Sequence, residues 1–137
     1  MSEKLPKEQR LHAKKAIDLL FGKGKGFFAY PFRVIPLKKP SEDEQPMTRV
    51  LVSVSKKRFH RAVKRNKVKR LIREAWRKNK SQLDVLCMEK NCIFDVAFVY
   101  TATAILPYSK IENAMKLIVE ILGKYYFKNE KTPAPAP

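Results

Sequence analysis

The stretch that most limits how this chain can fold is residues 58–80, RFHRAVKRNKVKRLIREAWRKNK. Val68, Leu71, Ile72, Ala75 and Trp76 recur at the i, i+3, i+4, i+7, i+8 spacing of one helical face, and such a face has to be covered by a core. Arg65, Lys69 and Arg73 stand four apart on successive turns, with Arg70 and Arg77 on a flanking row. Residues 56–80 carry thirteen Lys or Arg and a single acid, Glu74. Like charges crowded at i, i+4 destabilise a helix left alone in water, so this one needs a polyanion on one side as well as a core on the other. A merely solvated helix face usually mixes signs, and this face hardly does.

The net charge is +17, of which residues 56–80 supply thirteen minus one, or +12. The charge is therefore local, and nucleic acid is the counter-charge that rows of Arg and Lys along a helix fit best, through phosphate contacts and counterion release. At 137 residues the chain is long enough for one core and one domain. Cys87 and Cys92, with four residues between them and no histidine near them, do not make a zinc site and read as reduced, structural thiols. Neither a signal-like apolar stretch nor a bilayer-length segment occurs, which predicts a cytoplasmic protein with no membrane association.

Residues 1–9 are charged and predicted to be flexible. From about His12, Ala13, Ile17, Leu20 and Phe21 make a short amphipathic helix that Gly22 and Gly24 can end by adopting positive φ. The GKGKG run at 22–26 lacks Walker spacing and reads as a turn with two exposed lysines. Residues 27–37 read as one strand, or a short one and a longer one, with Pro31 and Pro36 favouring an edge or strand ends. Residues 38–47 read as a polar hairpin loop, and 48–55 alternate Val50, Val52 and Val54 against Arg49, Leu51, Ser53 and Ser55. Residues 81–90 suggest a further helical turn or two. Residues 92–100 form a strand that is bulky on one face (Phe94, Val96, Phe98, Tyr100) and modest on the other. Ser109 and Glu112 are spaced as a capping box before a last amphipathic helix to about Tyr126. The TPAPAP end places a disordered Pro/Ala tail at 128–137. The order implies an α+β sandwich in which the later helices cover the bulky sheet face.

Ser53-Val54-Ser55-Lys56-Lys57, then Arg65-Asn66-Lys67-Val68-Lys69-Arg70-Leu71-Ile72-Arg73, resembles the signature of the protein subunit of bacterial ribonuclease P, a strand ending in SVSKK followed by an Arg-Asn-Arg helix. Arg10-Leu11, Phe21-x-x-Gly24 and the late strand and helix fit as well, so the resemblance covers roughly residues 10–126. It implies a single α-β-β-β-α-β-α domain over 10–127, with a left-handed β-α-β crossover like that of ribosomal protein S5 domain 2, where a sequence argument alone favours the right-handed form. It also implies a ribonucleoprotein in which the RNA hydrolyses the phosphodiester with Mg²⁺ bound mainly by that RNA, while the protein binds the catalytic RNA and the 5′ leader of precursor tRNA. No obligate protein partner is implied.

Carried over residue by residue, the catalytic-RNA surface is Arg61, Arg65, Asn66, Lys67, Lys69, Arg70 and Arg73. The leader cleft is Ile17, Phe21, Arg33, Ile35, Arg49, Ser53 and Ser55, with Leu51 in its floor and Lys56 and Lys57 at the strand end. Asn66 equally suits a loop-holding role; Phe21 is the best stacking candidate, though core packing is the commoner role of a Phe on an amphipathic stripe. The chain departs from the family at Lys67, where arginine is commoner, and at Ile17, where an aromatic is common. It departs also at Arg58-Phe59-His60-Arg61, one residue longer than a usual Gly-Asn loop, and at Thr101, where many members have arginine. His12 and His60 lie in basic surroundings and form no protein active site. A ribosomal or rRNA-binding protein shares the charge and architecture but has no reason to carry the SVSKK strand joined to this helix. A DNA-binding module with the helix in the major groove fits less well, because the helix is uniformly cationic and set in a strand framework.

Overall fold

The computed structural model describes Arg10 and residues 14–128. In chain order the elements are α1 (Lys14–Lys23), β1 (Phe27–Ala29), β2 (Phe32–Pro40), β3 (Met47–Val54), α2 (Ala62–Asn79), α3 (Ser81–Lys90), β4 (Cys92–Tyr100) and α4 (Tyr108–Gly123), closed by a π-helical turn at Lys124–Lys128. The expected start of the first helix at His12 and Ala13, the flexible segment 1–9 and all but the first residue of the 128–137 tail lie outside the described residues.

The strand order is β1-β2-β4-β3, so β4, buried along nearly its whole length, is interior to the sheet. It runs antiparallel to β2 and parallel to β3. Phe94, Val96, Phe98 and Tyr100 point to the same side as Val50, Val52 and Val54 of β3 and Phe32 and Val34 of β2. Against them pack Val68, Ile72, Ala75 and Trp76 of α2, Leu83 and Cys87 of α3, and Ile111, Met115, Ile118 and Leu122 of α4. The Trp76 and Phe32 rings meet Phe98 edge-on at 5.3 and 5.5 Å, within the range that adds to simple burial. Sandwich layering and the parallel β3/β4 pair thus match the expectation.

Five details differ. The 38–47 segment is not a hairpin, because β4 lies between β2 and β3; Ser41 N–H donates to the Asn91 carbonyl (3.0 Å) as the chain passes the start of β4. Alternation specifies a strand's faces but not its neighbours. Residues 81–90 are a full helix, locked to β3 by the buried Thr48 hydroxyl, which donates to Asp84 Oδ1 (2.7 Å) while Lys80 holds the other oxygen. Ser109 and Glu112 form no capping box. The α4 N-cap is Pro107, which has no N–H for a glutamate to accept, and Glu112 takes the Tyr108 hydroxyl instead (3.2 Å). None of the glycines has positive φ. Gly24 is needed for space, since a Cβ there would lie 2.5 Å from the Leu20 carbonyl oxygen and 2.8 Å from Ile35 Cγ2. Finally, α2 begins at Ala62, and residues 55–61 form the turn that feeds it.

Prolines fall where ladder donors are not needed: Pro31 lies in the β1–β2 turn, after a cis peptide, and Pro36 lies beyond the three residues where β1 pairs with β2.

Candidate nucleic-acid interface

Burial of Val68, Ile72, Ala75 and Trp76 fixes the roll of α2 and so decides which cations face water. Arg61, Lys64, Asn66, Lys67 and Arg70 are exposed, whereas Arg65, Lys69 and Arg73 lie half-buried on the flank. The one acid of the helix, Glu74, is held by Arg77 at 2.6 and 3.2 Å and by Lys78 at 3.8 Å, and those contacts, the Arg77 hydrogen bond foremost, keep its carboxyl below the usual range. Arg73 is lowered from its ordinary value, first by burial and then by the nearby charge of Arg10, which sits beside Val50 at the β3 edge. A cation next to a cation at a half-buried site is relieved by an anion such as a phosphate.

Arg65 works inward. It is its guanidinium that donates to the Phe59 and His60 carbonyls (2.8 and 2.9 Å), bracing the turn before α2, so the loop-holding role considered for Asn66 belongs to Arg65. Arg58 reaches across to the Thr101 carbonyl (2.6 Å). Between this turn and residues 103–105 is a cavity of ≈ 540 Å³, bordered by Arg58, His60, Arg61 and Lys64 on one side and Thr103, Ala104 and Ile105 on the other. Four consecutive residues, 58–61, supply half of its lining. Lys56 and Lys57 are exposed at the start of the same turn, and the Lys57 N–H donates to Ser55 Oγ (3.1 Å).

On the opposite sheet face α1 runs from the β3 side, where Arg10 lies, to β2, where Gly24 meets Ile35 and Pro36. Leu20 seals a small cluster with Ile35 and Ala97, fringed by Ile17, Leu37 and Leu51. Register divides this face into rows. Ile35, Ala97 and Leu51 make the covered row. Next to it, Asp95 is fully buried and accepts a two-pronged bond from Arg49 (2.7 and 2.9 Å), with Lys39 at 3.5 Å. The Asp95 hydrogen bonds raise the Arg49 guanidinium above its ordinary value despite burial. On the other side of the covered row, Arg33, Val99 and Ser53 are aligned across three strands, with Arg33 and Ser53 exposed and Val99 half-buried. This row beside α1 is the open part of the face.

The residues assigned to a cleft from sequence therefore separate into two groups. Arg33, Ser53, Lys56, Lys57 and Phe21, the last 45 % exposed, are available to a ligand, while Ser55 and Ile17 are half-buried. Ile35 is buried beneath Leu20, and Arg49 is committed to Asp95. Sequence reasoning missed the Asp95 pair, although a lone acid in the apolar run CIFDVAFVY signals a buried cation partner. It also missed Thr101 as an anchor, whose N–H and hydroxyl both donate to the Pro31 carbonyl (2.8 and 2.9 Å).

The chain is similar to known proteins in sequence and in fold. A family model described as Ribonuclease P matches residues 5–122. A Ribonuclease P protein component from Porphyromonas gingivalis is 42 % identical over 120 residues, 87 % of either chain. Among solved structures, a mutant RNase P protein from Staphylococcus aureus is similar with a TM-score of 0.63 at 26 % identity, covering 84 % of this chain and 88 % of that one. The RNase P protein from Thermotoga maritima shares the fold, with a TM-score of 0.62 at 22 % identity over 81 % of this chain and 94 % of that one.

Proposed function

The chain belongs to the ribonuclease P protein family, and we propose that it is the protein subunit of a ribonuclease P holoenzyme, binding the catalytic RNA along α2 and the unpaired 5′ leader of precursor tRNA in the trough beside α1, to promote endonucleolytic 5′ maturation of tRNA. The observation that carries this reading is the pair of separate surfaces: a helix flank and back rich in cations with one neutralised acid, and, on the far side of the sheet, an open row with Arg33 and Ser53 exposed. A duplex-rich folded RNA suits the first, where charges lie along a rigid rod. A single strand suits the second, which is part cationic and lies on the sheet face of α1, where the Phe21 ring is exposed.

On this reading Mg²⁺ and the phosphodiester chemistry belong to the RNA. The protein lowers repulsion between two polyanions and holds the leader, a contribution to binding and positioning. The test combines the purified protein with a bacterial ribonuclease P RNA and precursor tRNA at low Mg²⁺. Cleavage at the mature 5′ end is expected to be faster with both subunits than with RNA alone, and equal rates would reject the reading. Replacing Lys67, Lys69 and Arg70 by alanine, which spares the loop-bracing Arg65, should flatten the salt dependence of catalytic-RNA binding by about 1 in log–log slope per phosphate-facing cation lost. An unchanged slope would move that interface off α2.

A further inference from the structure

The open row does not stop at Arg33. Phe28 of β1 is the register partner of Arg33, so Phe28, Arg33, Val99 and Ser53 form one line across all four strands on the α1 side. Three steps between neighbouring strands make this line about 14 Å long. At its β1 end two large aromatics are left in water, Phe28 at 54 % and Tyr30 at 63 % exposure, with ring centroids 6.4 Å apart and planes tilted by 53°. Neither ring contributes to the core clusters. Their turn is pinned, because the Thr101 N–H and hydroxyl both donate to the Pro31 carbonyl next to Tyr30.

We propose that Phe28 and Tyr30 form a stacking platform for an unpaired base of the RNA leader at the β1 end of the trough. This deepens the proposed function and rests on its leader assignment. Exposed aromatic rings on a fixed turn, beside an exposed arginine and with the exposed Lys25 a few residues upstream, offer what a single strand needs: π-faces for bases and cations for the backbone. A protein partner is the poorer occupant. Two rings make a patch far smaller than a stable protein interface, and the cations beside them favour a polyanion.

The experiment uses reconstituted holoenzyme and precursor tRNAs whose leaders are shortened one nucleotide at a time. Phe28→Ala combined with Tyr30→Ala is compared with the parent and with Phe28→Tyr combined with Tyr30→Phe, which keeps both rings. The affinity gained by lengthening the leader should fall about fivefold or more in the alanine pair and be retained in the ring-keeping pair. A fluorescent purine analogue moved along the leader should be quenched at one upstream position in the parent and not in the alanine pair. An undiminished gain with unchanged quenching overturns the platform. So does a shift of the alanine pair to a different oligomeric state with its leader dependence intact, which would identify the patch as a contact between copies. If the parent itself gains nothing from a longer leader, the leader assignment in the proposed function fails instead.

Discussion

Toward α2, α3 and α4, β4 presents Phe94, Val96, Phe98 and Tyr100, none more than 1 % exposed; toward α1 the same strand presents Ile93, Asp95, Ala97 and Val99. The first set interlocks with three helices. The second is covered over one row by Leu20, tied down in the next by Asp95 and Arg49, and open in the row of Val99. The difference teaches how a small domain keeps one sheet face partly open without losing its fold. Stability is concentrated on one side, so the other can remain part polar and part uncovered. If this is right, substitutions on the two faces should differ in cost before any RNA is added.

The largest effect is expected at Phe98, in edge-on contact with Trp76 and Phe32. Phe98→Ala should cost about 4 kcal/mol in denaturant unfolding, from lost transfer energy plus a cavity. Next is Arg49→Met, which strands the buried Asp95 carboxylate with only Lys39 nearby and should cost about 3 kcal/mol. Adding Asp95→Leu to Arg49→Met should recover most of that loss, because it is the stranded charge that is expensive. No recovery would mean that Arg49 acts through packing instead. Leu20→Ala should cost less, about 2 kcal/mol, since α1 borders an open row and can settle into the space. Equal losses at Leu20 and Phe98 would break the comparison between the faces.

How much of this could be read from sequence also differs by face. The helix side was legible because its signals are periodic: the Val50, Val52, Val54 and Phe94, Val96, Phe98 alternations and the α2 stripe all appear as buried sets. Strand order was not, because alternation does not say that β4 inserts between β2 and β3 and so separates two strands consecutive in the chain. On the trough side the residue types were legible and their commitments were not. From sequence Arg49 reads as a free cation, yet Asp95 stands opposite it; Phe21 reads as either a stacking ring or core, and Leu20, one position away, takes the core place. A short helix turns 100° per residue, so a one-residue change of anchor exchanges a core ring for an exposed one. Phe28 and Tyr30 were hidden for a similar reason, as a strand-like run does not say where the chain turns.

The smallest effect concerns pH and should be confined to the packed face. Cys87 and Cys92 are free and buried, on α3 and at the start of β4, and burial pushes both thiols above their ordinary value. Unfolded, each releases its proton above about pH 8.5; folded, each keeps it. Above that value the unfolded chain therefore binds fewer protons than the folded one, and stability must fall as pH rises. The stabilisation is complete below the ordinary thiol value and is lost as pH climbs toward the raised folded ones. One unit above it the loss at Cys87 should be about 1 kcal/mol, with Cys92 adding in the same direction. Urea midpoints at neutral and alkaline pH measure it, and Cys87→Ala with Cys92→Ala should remove that part of the alkaline slope. Thiol reagents at neutral pH should label the denatured chain and spare the native one, because both groups are neutral and enclosed. Rapid native labelling would show that α3 opens readily from the sheet, and the packed face would then not be the rigid half against which the trough is held.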